Sequence, residues 1–349
     1  MNEGVKIKTI DRPFVTESGF SFEKPEVAYK TWGTLNEARD NVILICHALT
    51  GHAAANEWFP GLFEEEGIID PDRHFVICCN VPGSCYGSTG PWSIDPATGK
   101  TYRGDFPAIT IRDMVRFQQI LLDKLEITGV ELVIGGSMGG MQALEFTIMD
   151  SRIKSAACIA MGKAHTPWAI GISHAQRAAI EADPNWKEGF YKKGEGPDAG
   201  LATARMMAMI TYRCPDDYEQ KFGRNPQPDS DLYQVESYLN YQGKKLAGRF
   251  DAITYMRLTK AMDSHDISRG RGTFRKVLRN IKVPVLAVGI DSDLLYPVEE
   301  QRELADLIPN GHYAELQSSH GHDAFLIEFD QLNEALKEFL DVQIKQQTV

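Results

Sequence analysis

A serine lies at the centre of a G-x-S-x-G pentapeptide, Gly-Gly-Ser-Met-Gly, at residues 135–139. An apolar run ends just before it, and a helical pattern of apolar and small residues begins at Met138. In this context the pentapeptide predicts a nucleophile elbow, a sharp strand-to-helix turn that presents Ser137 Oγ to a cleft. The alternative is a Gly-rich turn with a structural serine, because a motif match alone is only a hypothesis.

A serine hydroxyl is a weak nucleophile at neutral pH, so it needs a base and a third group that orients the base. Candidate acids and then candidate bases follow the serine along the chain: Asp291 and Asp293, then His312, His320 and His322. We favour Asp293 because it precedes a loop that enters a helix, whereas Asp291 could cap or turn the chain. His312 is expected to pack in a strand. Spacing leaves His320 and His322 nearly even, with His322 preferred for its loop position beside a glycine.

Acyl transfer also needs backbone donors aimed at the oxyanion of the tetrahedral intermediate. The amide after the nucleophile, Met138 N–H, is one candidate. The second is predicted in the loop at residues 47–51, which follows an apolar run, with Leu49 or Ala48 as the donor. We expect His47, in the same loop, to bond to backbone rather than to take part in catalysis.

Short apolar segments alternate with helical patterns along much of the chain. They predict an α/β fold with a mostly parallel sheet covered by helices on both faces. The stretch at residues 163–272 has few strand signals, so we predict a helical insertion in a core domain of residues 1–162 and 273–349. The predicted strands lie at residues 42–46, 75–79, 132–134, 156–160, 283–290 and 312–316.

Composition narrows the function classes. The 349 residues carry a net charge of -11 and no basic stripe, which argues against nucleic acid as a partner and favours small-molecule chemistry. The six cysteines show no C-x-x-C spacing, so neither a zinc site nor a disulfide framework is indicated. The N-terminus lacks an apolar signal core, and no run approaches the ~20 apolar residues of a membrane span. We expect a cytoplasmic protein.

Several blocks, taken in order, closely resemble the homoserine O-acyltransferase family of the α/β-hydrolase superfamily. Its members are best known as homoserine O-acetyltransferases of methionine biosynthesis. The blocks lie at residues 28–36, 46–51, 87–91, 105–115, 135–142, 242–251 and 321–326. The resemblance implies a triad of Ser137, Asp293 and His322, because His322 matches the histidine of the family's G-H-D-A-F-L motif. It also implies that Leu49 and Met138 supply the oxyanion donors.

The same resemblance implies how an amino acid is recognised. Arg205, Tyr212 and Asp323 match substrate-contacting positions, with a cation for the α-carboxylate and Asp323 for the α-ammonium. Without the match, a surface arginine, a packed tyrosine and a capping aspartate would be the better interpretation. The family also implies that residues 163–272 form a helical lid that covers the site, and a homodimer through this lid. Acetyl-CoA would be a consumed co-substrate, with no resident cofactor or metal.

The loop at residues 80–87 departs from the expected N-V-x-G-G-C-x-G pattern, since Ser84 replaces a glycine. This loop lies near the family's acyl pocket, so the acyl donor is predicted as acetyl with succinyl as the alternative. Serine is the alternative acceptor, because one methylene is worth only ~1–3 kcal/mol in a pocket. Two other function classes are alternatives to a transferase. A plain esterase or thioesterase would need no side chains that bind an amino acid, and a binding protein without activity would need no catalytic triad.

Overall fold

The computed structural model describes residues 3–347, and their side chains as far as residue 342. Its strands in chain order are β1 (Lys6–Thr9), β2 (Phe14–Val15), β3 (Ser21–Phe22), β4 (Glu26–Trp32), β5 (Val42–Cys46), β6 (Phe75–Cys79), β7 (Ile94–Asp95), β8 (Lys100–Thr101), β9 (Val130–Gly136), β10 (Ala156–Ile159), β11 (Val285–Ile290) and β12 (Gly311–Leu316). Its helices are α1 (Ile111–Lys124), α2 (Met138–Met149), α3 (Pro167–Glu181), α4 (Asp198–Tyr212), α5 (Pro215–Phe222), α6 (Gln234–Ala247), α7 (Ala252–Asp263), α8 (Phe274–Arg279), α9 (Val298–Leu307) and α10 (Phe329–Gln347).

Eight strands form the central sheet, in the order β1-β4-β6-β5-β9-β10-β11-β12. The six strands from β6 to β12 in that order pair in parallel, which confirms the predicted mostly parallel sheet. Strands β1 and β4 add an antiparallel edge that the sequence analysis did not identify. The short strands pair separately, β2 with β3 and β7 with β8.

Both faces of the sheet are buried, which explains why its strands are apolar throughout rather than alternating with polar residues. In β5, Val42, Leu44 and Cys46 belong to one hydrophobic core, and Ile43 and Ile45 belong to the other. This separation follows from the two-residue period of side chains along a strand. Each strand therefore contributes to two cores at once.

Helices cover both cores. Helices α1 and α2 contribute Phe117 and Leu144 to the first core, and α10 contributes Leu332 and Leu336 to the second. Helix α1 begins at a capping box in which the Thr110 side chain accepts from Asp113 N–H. The amphipathic pattern that leads into the predicted elbow is thus a helix packed beside it.

The chain between β10 and β11 contains the inserted helices, which we define as α3 to α7 within residues 163–272. Helix α4 packs against α3, α6 and the 3₁₀ helix Gly321–Leu326, which follows β12. These contacts bring the end of α4 next to the loop that carries His322. Within residues 3–347, no helix is long and apolar enough to cross a membrane.

Candidate active site

Ser137 sits at the turn between β9 and α2, with φ 55° and ψ -125°. A positive φ is rare for a residue with a Cβ and costs on the order of 1–3 kcal/mol. The surrounding backbone holds the turn, since Ser137 N–H donates to the Ile159 carbonyl at 2.9 Å and the Ser137 carbonyl accepts from Met141 N–H at 3.1 Å. The geometry is that of the predicted elbow.

The two motif glycines let three backbone segments meet beneath this turn. A Cβ on Gly139 would lie 2.1 Å from the Cys46 carbonyl oxygen, and one on Gly135 would lie 2.4 Å from the Gly139 carbonyl carbon. Neither contact could be relieved by rotating a side chain, because both are with backbone. The glycines therefore bring the end of β5, and the loop after it, against the start of α2.

His322 and Asp293 form a buried pair. His322 Nδ1 lies 2.7 Å from Asp293 Oδ2, and the histidine must be the donor because a carboxylate only accepts. The other oxygen, Asp293 Oδ1, accepts from the backbone N–H groups of Leu295 at 2.7 Å and Tyr296 at 3.0 Å. The aspartate thus fixes the tautomer of the ring and leaves Nε2 available to accept a proton.

The other candidate acids and bases have different partners. Asp291 is exposed and accepts from the backbone N–H of Ser318 at 2.9 Å. His320 Nδ1 lies 2.7 Å from Asp217 Oδ1, and His312 packs edge-on against the Phe339 ring. Of the two histidines that spacing left nearly even, only His322 is paired with Asp293.

The surroundings of His322 tune its basicity. Burial alone would lower the pKa of His322, but the Asp293 carboxylate, its hydrogen bond and the nearby Asp323 together raise it above the usual value. The rings of Tyr212, Tyr296 and Phe325 lie 5.4–5.7 Å from the imidazole. The histidine is therefore a buried base held in place on several sides.

The Phe325 ring also links this base to the nucleophile elbow. A Cβ on Gly136, the residue before Ser137, would lie 2.4 Å from Phe325 Cε2. Because Phe325 and His322 belong to the same 3₁₀ helix, this helix packs directly on the end of β9. The serine, the histidine and the aspartate thus converge at the carboxyl edge of the sheet, where open α/β sheets place functional groups.

The two predicted oxyanion donors lie in two segments that the Gln142 side chain links by hydrogen bonds. Met138 is the first residue of α2, so its N–H has no acceptor within the helix. Within the described chain, Leu49 N–H also donates to no other residue. Gln142 Nε2 lies 3.1 Å from the Met138 carbonyl and 3.3 Å from the His47 carbonyl. Sequence reasoning did not identify this buried glutamine, although it ends the G-G-S-M-G-G-M-Q block.

His47 stabilises the loop that carries Leu49. Its Nδ1 lies 2.8 Å from the Ala48 carbonyl, and its Nε2 accepts from Val81 N–H at 3.2 Å. Burial lowers the pKa of His47 to about 4, so the ring is neutral at physiological pH. These bonds to backbone agree with the structural role expected for it.

The three predicted substrate-contacting residues lie around His322. The Arg205 guanidinium is 5.3 Å from the centre of the Tyr212 ring, which is 5.5 Å from the His322 ring. In the described part of the chain, Arg205 has no ion-pair partner. Asp323 follows the histidine directly and lies 3.3 Å from Nε of Arg213. Sequence reasoning missed Arg213, whose only signal was its place after Tyr212.

A cavity of about 630 Å³ lies between residues 84–93, 191–198 and 247–252. None of the predicted site residues lines it. Its Arg249 donates through Nη1 to the Thr50 carbonyl at 3.0 Å, next to Leu49.

All six cysteines are free, and the described residues contain no group of three or more His, Cys, Asp or Glu side chains that could hold a metal ion.

Comparison with known proteins identifies the fold and the family of this chain. A family model for the alpha/beta hydrolase fold matches residues 41–329. A homoserine O-acetyltransferase of Trichormus variabilis is 53% identical over 94% of this chain and 91% of its own. The crystal structure of a homoserine O-acetyltransferase from Bacillus anthracis is 29% identical, with a TM-score of 0.88, and covers 97% of this chain and 98% of its own. Esterase E22 is 26% identical, with a TM-score of 0.87 over 96% of this chain and 99% of its own.

Proposed function

This chain belongs to the homoserine O-acetyltransferase family of the alpha/beta hydrolase fold, and from that premise we propose how its side chains transfer an acetyl group. The reaction is a two-step exchange on Ser137. Acetyl-CoA acylates the serine, and the side-chain hydroxyl of L-homoserine then removes the acetyl group. Acetyl-CoA is consumed as a co-substrate, so the scheme needs no resident cofactor and no metal.

In the first step, His322 Nε2 takes the proton of Ser137 Oγ as that oxygen attacks the thioester carbonyl. The N–H groups of Leu49 and Met138 donate to the oxyanion of the tetrahedral intermediate. Collapse of the intermediate breaks the carbon–sulfur bond, and the imidazolium returns its proton to the CoA thiolate. The acetyl group is then an ester of Ser137.

In the second step, the same base takes the proton of the homoserine hydroxyl, which attacks the acetyl ester. Collapse of the second intermediate returns the proton to Ser137 Oγ and releases O-acetylhomoserine. Water would compete for the acetyl ester, so we propose that the inserted helices act as a lid that limits its access. Tyr212, at the end of α4, supports this role because its ring lies against His322.

The observation that favours an amino-acid acceptor over water is the pair of charges beside the base. Arg205 has no ion-pair partner within the described residues, so its guanidinium is available for a carboxylate. Asp323, which directly follows His322, accepts no hydrogen bond from another described residue, so its carboxylate is available for an ammonium. An esterase has no need for these two groups.

A substrate matrix tests this proposal. Acetyl-CoA and succinyl-CoA are each offered with homoserine, with serine and with no acceptor, while thiol release and product mass are followed. We expect continued thiol release with formation of O-acetylhomoserine only with acetyl-CoA and homoserine, about one thiol per enzyme from acetyl-CoA without an acceptor, and serine to react roughly 10- to 200-fold less efficiently. Continued thiol release over many turnovers at the same rate without an amino acid would instead indicate a thioesterase.

Replacing Arg205 with alanine separates the two steps. We expect the KM for homoserine to rise roughly 10- to 100-fold, because a charge-assisted contact to the α-carboxylate is lost. Acylation of Ser137 by acetyl-CoA involves no such contact and is expected to proceed in the variant. Rapid-quench mass measurement of the acetyl-enzyme and steady-state kinetics with homoserine report the two steps separately.

Arg224 is a matched control for this variant. Its guanidinium lies 5.7 Å from the Tyr233 ring, so it has a similar cation–π contact on an exposed part of the inserted helices. Arg224→Ala is expected to leave the KM for homoserine unchanged. A failure of Arg205→Ala to form the acetyl-enzyme would contradict the assignment of Arg205 to the acceptor.

We also propose a homodimer formed through the inserted helices. Ile210 on α4 and Tyr241 on α6, two helices that pack on each other, are 54% and 59% exposed, and a patch of exposed apolar side chains marks an interaction site. Leu232 and Tyr233, between α5 and α6, are exposed as well.

The cytoplasm stays the proposed location, because six free cysteines suit a reducing compartment.

A further inference from the structure

The junction between α4 and α5, residues Arg213 and Cys214, packs directly on the loop that carries His322. Gly321 has φ +62°, and a Cβ there would lie 2.7 Å from the Arg213 carbonyl carbon. Cys214 Sγ donates to the Ser319 carbonyl at 2.8 Å. The inserted helices therefore pack directly on this loop, with backbone against backbone at Gly321.

The Arg213 side chain extends along the same loop and meets two carboxylates. Its Nη1 lies 3.7 Å from Asp217 Oδ1, and its Nε lies 3.3 Å from Asp323 Oδ2. His320 Nδ1 lies 2.7 Å from the same Asp217 oxygen and 3.4 Å from Arg213 Nη1, so this histidine also borders the guanidinium. Arg213 is mostly buried, with a side-chain exposure of 14%.

The contact between Arg213 and Asp323 is an ion pair without an aligned hydrogen bond. Arg213 Nε is buried and donates to no acceptor in the described part of the chain. Asp323 therefore has a neighbouring positive charge while its oxygens stay available to a ligand. An ammonium group, with three N–H donors, suits such a carboxylate.

Electrostatics give Arg213 a specific task. Burial raises the pKa of Asp323 above its usual value. The positive charges of Arg213 and Arg205, and of His322 when it is protonated, oppose this effect, with Arg213 the strongest of the three. A protonated Asp323 could not attract an ammonium. The charge on Arg213 is therefore the main local influence that keeps the carboxylate ionised.

We propose that Arg213 is a positioning residue of the acceptor site, which keeps the Asp323 carboxylate charged and oriented toward the α-ammonium of the amino acid. This inference rests on the proposed function, in which Asp323 binds that ammonium. Arg213 touches no reacting atom. The same residue belongs to the junction that packs on Gly321. Arg213 therefore couples acceptor recognition to the packing of the inserted helices on this loop.

The test compares Arg213→Met and Arg213→Lys with the wild-type enzyme. Arg213→Met is expected to raise the KM for homoserine on the order of 30-fold, while acetyl-enzyme formation from acetyl-CoA changes far less. Arg213→Lys keeps the charge and is expected to stay within about 5-fold of the wild-type KM. An equal loss in both variants would overturn the proposal, since charge would then not be what matters. Lys192→Met removes a cation that is 78% exposed, in the chain between α3 and α4, and controls for net charge.

A double-mutant cycle shows whether Arg213 acts through Asp323. Asp323→Asn is expected to raise the KM for homoserine by itself, and Arg213→Met added to it should cost less than about 3-fold more. A full additional loss in the Asp323→Asn background would show that Arg213 acts independently and would overturn the inference alone. No effect of Asp323→Asn would overturn both the inference and the ammonium site on which it rests.

A pH profile distinguishes loss of charge from loss of structure. The titratable and charged groups that face Asp323 are Arg205, Tyr212, Arg213, Tyr218, Tyr238, Asp293 and His322. Asp217 and His320 face Arg213. Without Arg213, Asp323 takes up a proton more readily, and rising pH removes it again. The KM ratio of Arg213→Met to wild type should therefore narrow several-fold as pH rises. A ratio independent of pH would contradict the proposed role, and thermal melting identifies a variant that fails to fold.

Discussion

Ser137→Ala is expected to abolish the acetyl-enzyme and to lower kcat by roughly 10⁴-fold or more. The substitution removes only Oγ, the atom that would carry the acetyl group. Alanine keeps the Cβ, so the strain of the positive φ and the packing of the elbow stay as they are. The variant should therefore fold. Intact-protein mass after mixing with acetyl-CoA measures the adduct, which is expected in the wild-type enzyme and absent from the variant.

Ser155 supplies the matched control for this variant. It is a buried serine just before β10, at the opposite end of the sheet, and its Oγ donates to the Glu131 carbonyl. Ser155→Ala is expected to cost some stability through the lost hydrogen bond, about 1 kcal/mol, while still forming the acetyl-enzyme. An acetyl adduct that survives in Ser137→Ala would move the nucleophile to another residue.

Asp293→Asn is expected to lower kcat by roughly 10⁴-fold while leaving the fold intact. The reason is the hydrogen-bond inventory of the pair. Oδ1 of Asp293 accepts from the N–H groups of Leu295 and Tyr296, and Oδ2 accepts from His322. An asparagine that keeps its oxygen toward the two backbone donors must turn its NH₂ toward His322 Nδ1. The ring would then carry its proton on Nε2, where it cannot take one from Ser137.

The same substitution should change the pH profile. In the wild-type enzyme, His322 must be neutral to act as a base, so acylation is lost as pH falls through its pKa, which lies above the usual histidine value. Without the Asp293 charge, burial dominates and the pKa of His322 falls, so the residual activity should extend to lower pH. Asp291→Asn is the control, since Asp291 is exposed and an amide oxygen can still accept from Ser318 N–H. A loss as large in Asp291→Asn would refute the choice of acid.

Much of the fold could be predicted from the sequence because its signals are local. The apolar runs at residues 42–46 and 75–79 coincide with β5 and β6, and the few strand signals at 163–272 coincide with the inserted helices. The edge strands β1 and β4 were not predicted. All four residues of β1 are exposed, so no apolar pattern distinguishes this strand from a loop, and its pairing with β4 depends on the rest of the sheet.

The elbow at Ser137 is determined by neighbouring residues, since the strand, the two glycines and the helix start lie within a few positions of one another. The tertiary structure decided which histidine faces Asp293. His320 and His322 are two residues apart in one loop, and their spacing carries no information about a carboxylate 29 positions from His322. The backbone around Leu295 and Tyr296 orients that carboxylate, and Gly321 lets the loop turn His322 toward it. The contacts of Gln142 and Arg213 could be identified only in the tertiary structure. Hydrogen bonds and ion pairs depend on distances that chain packing sets rather than on sequence spacing.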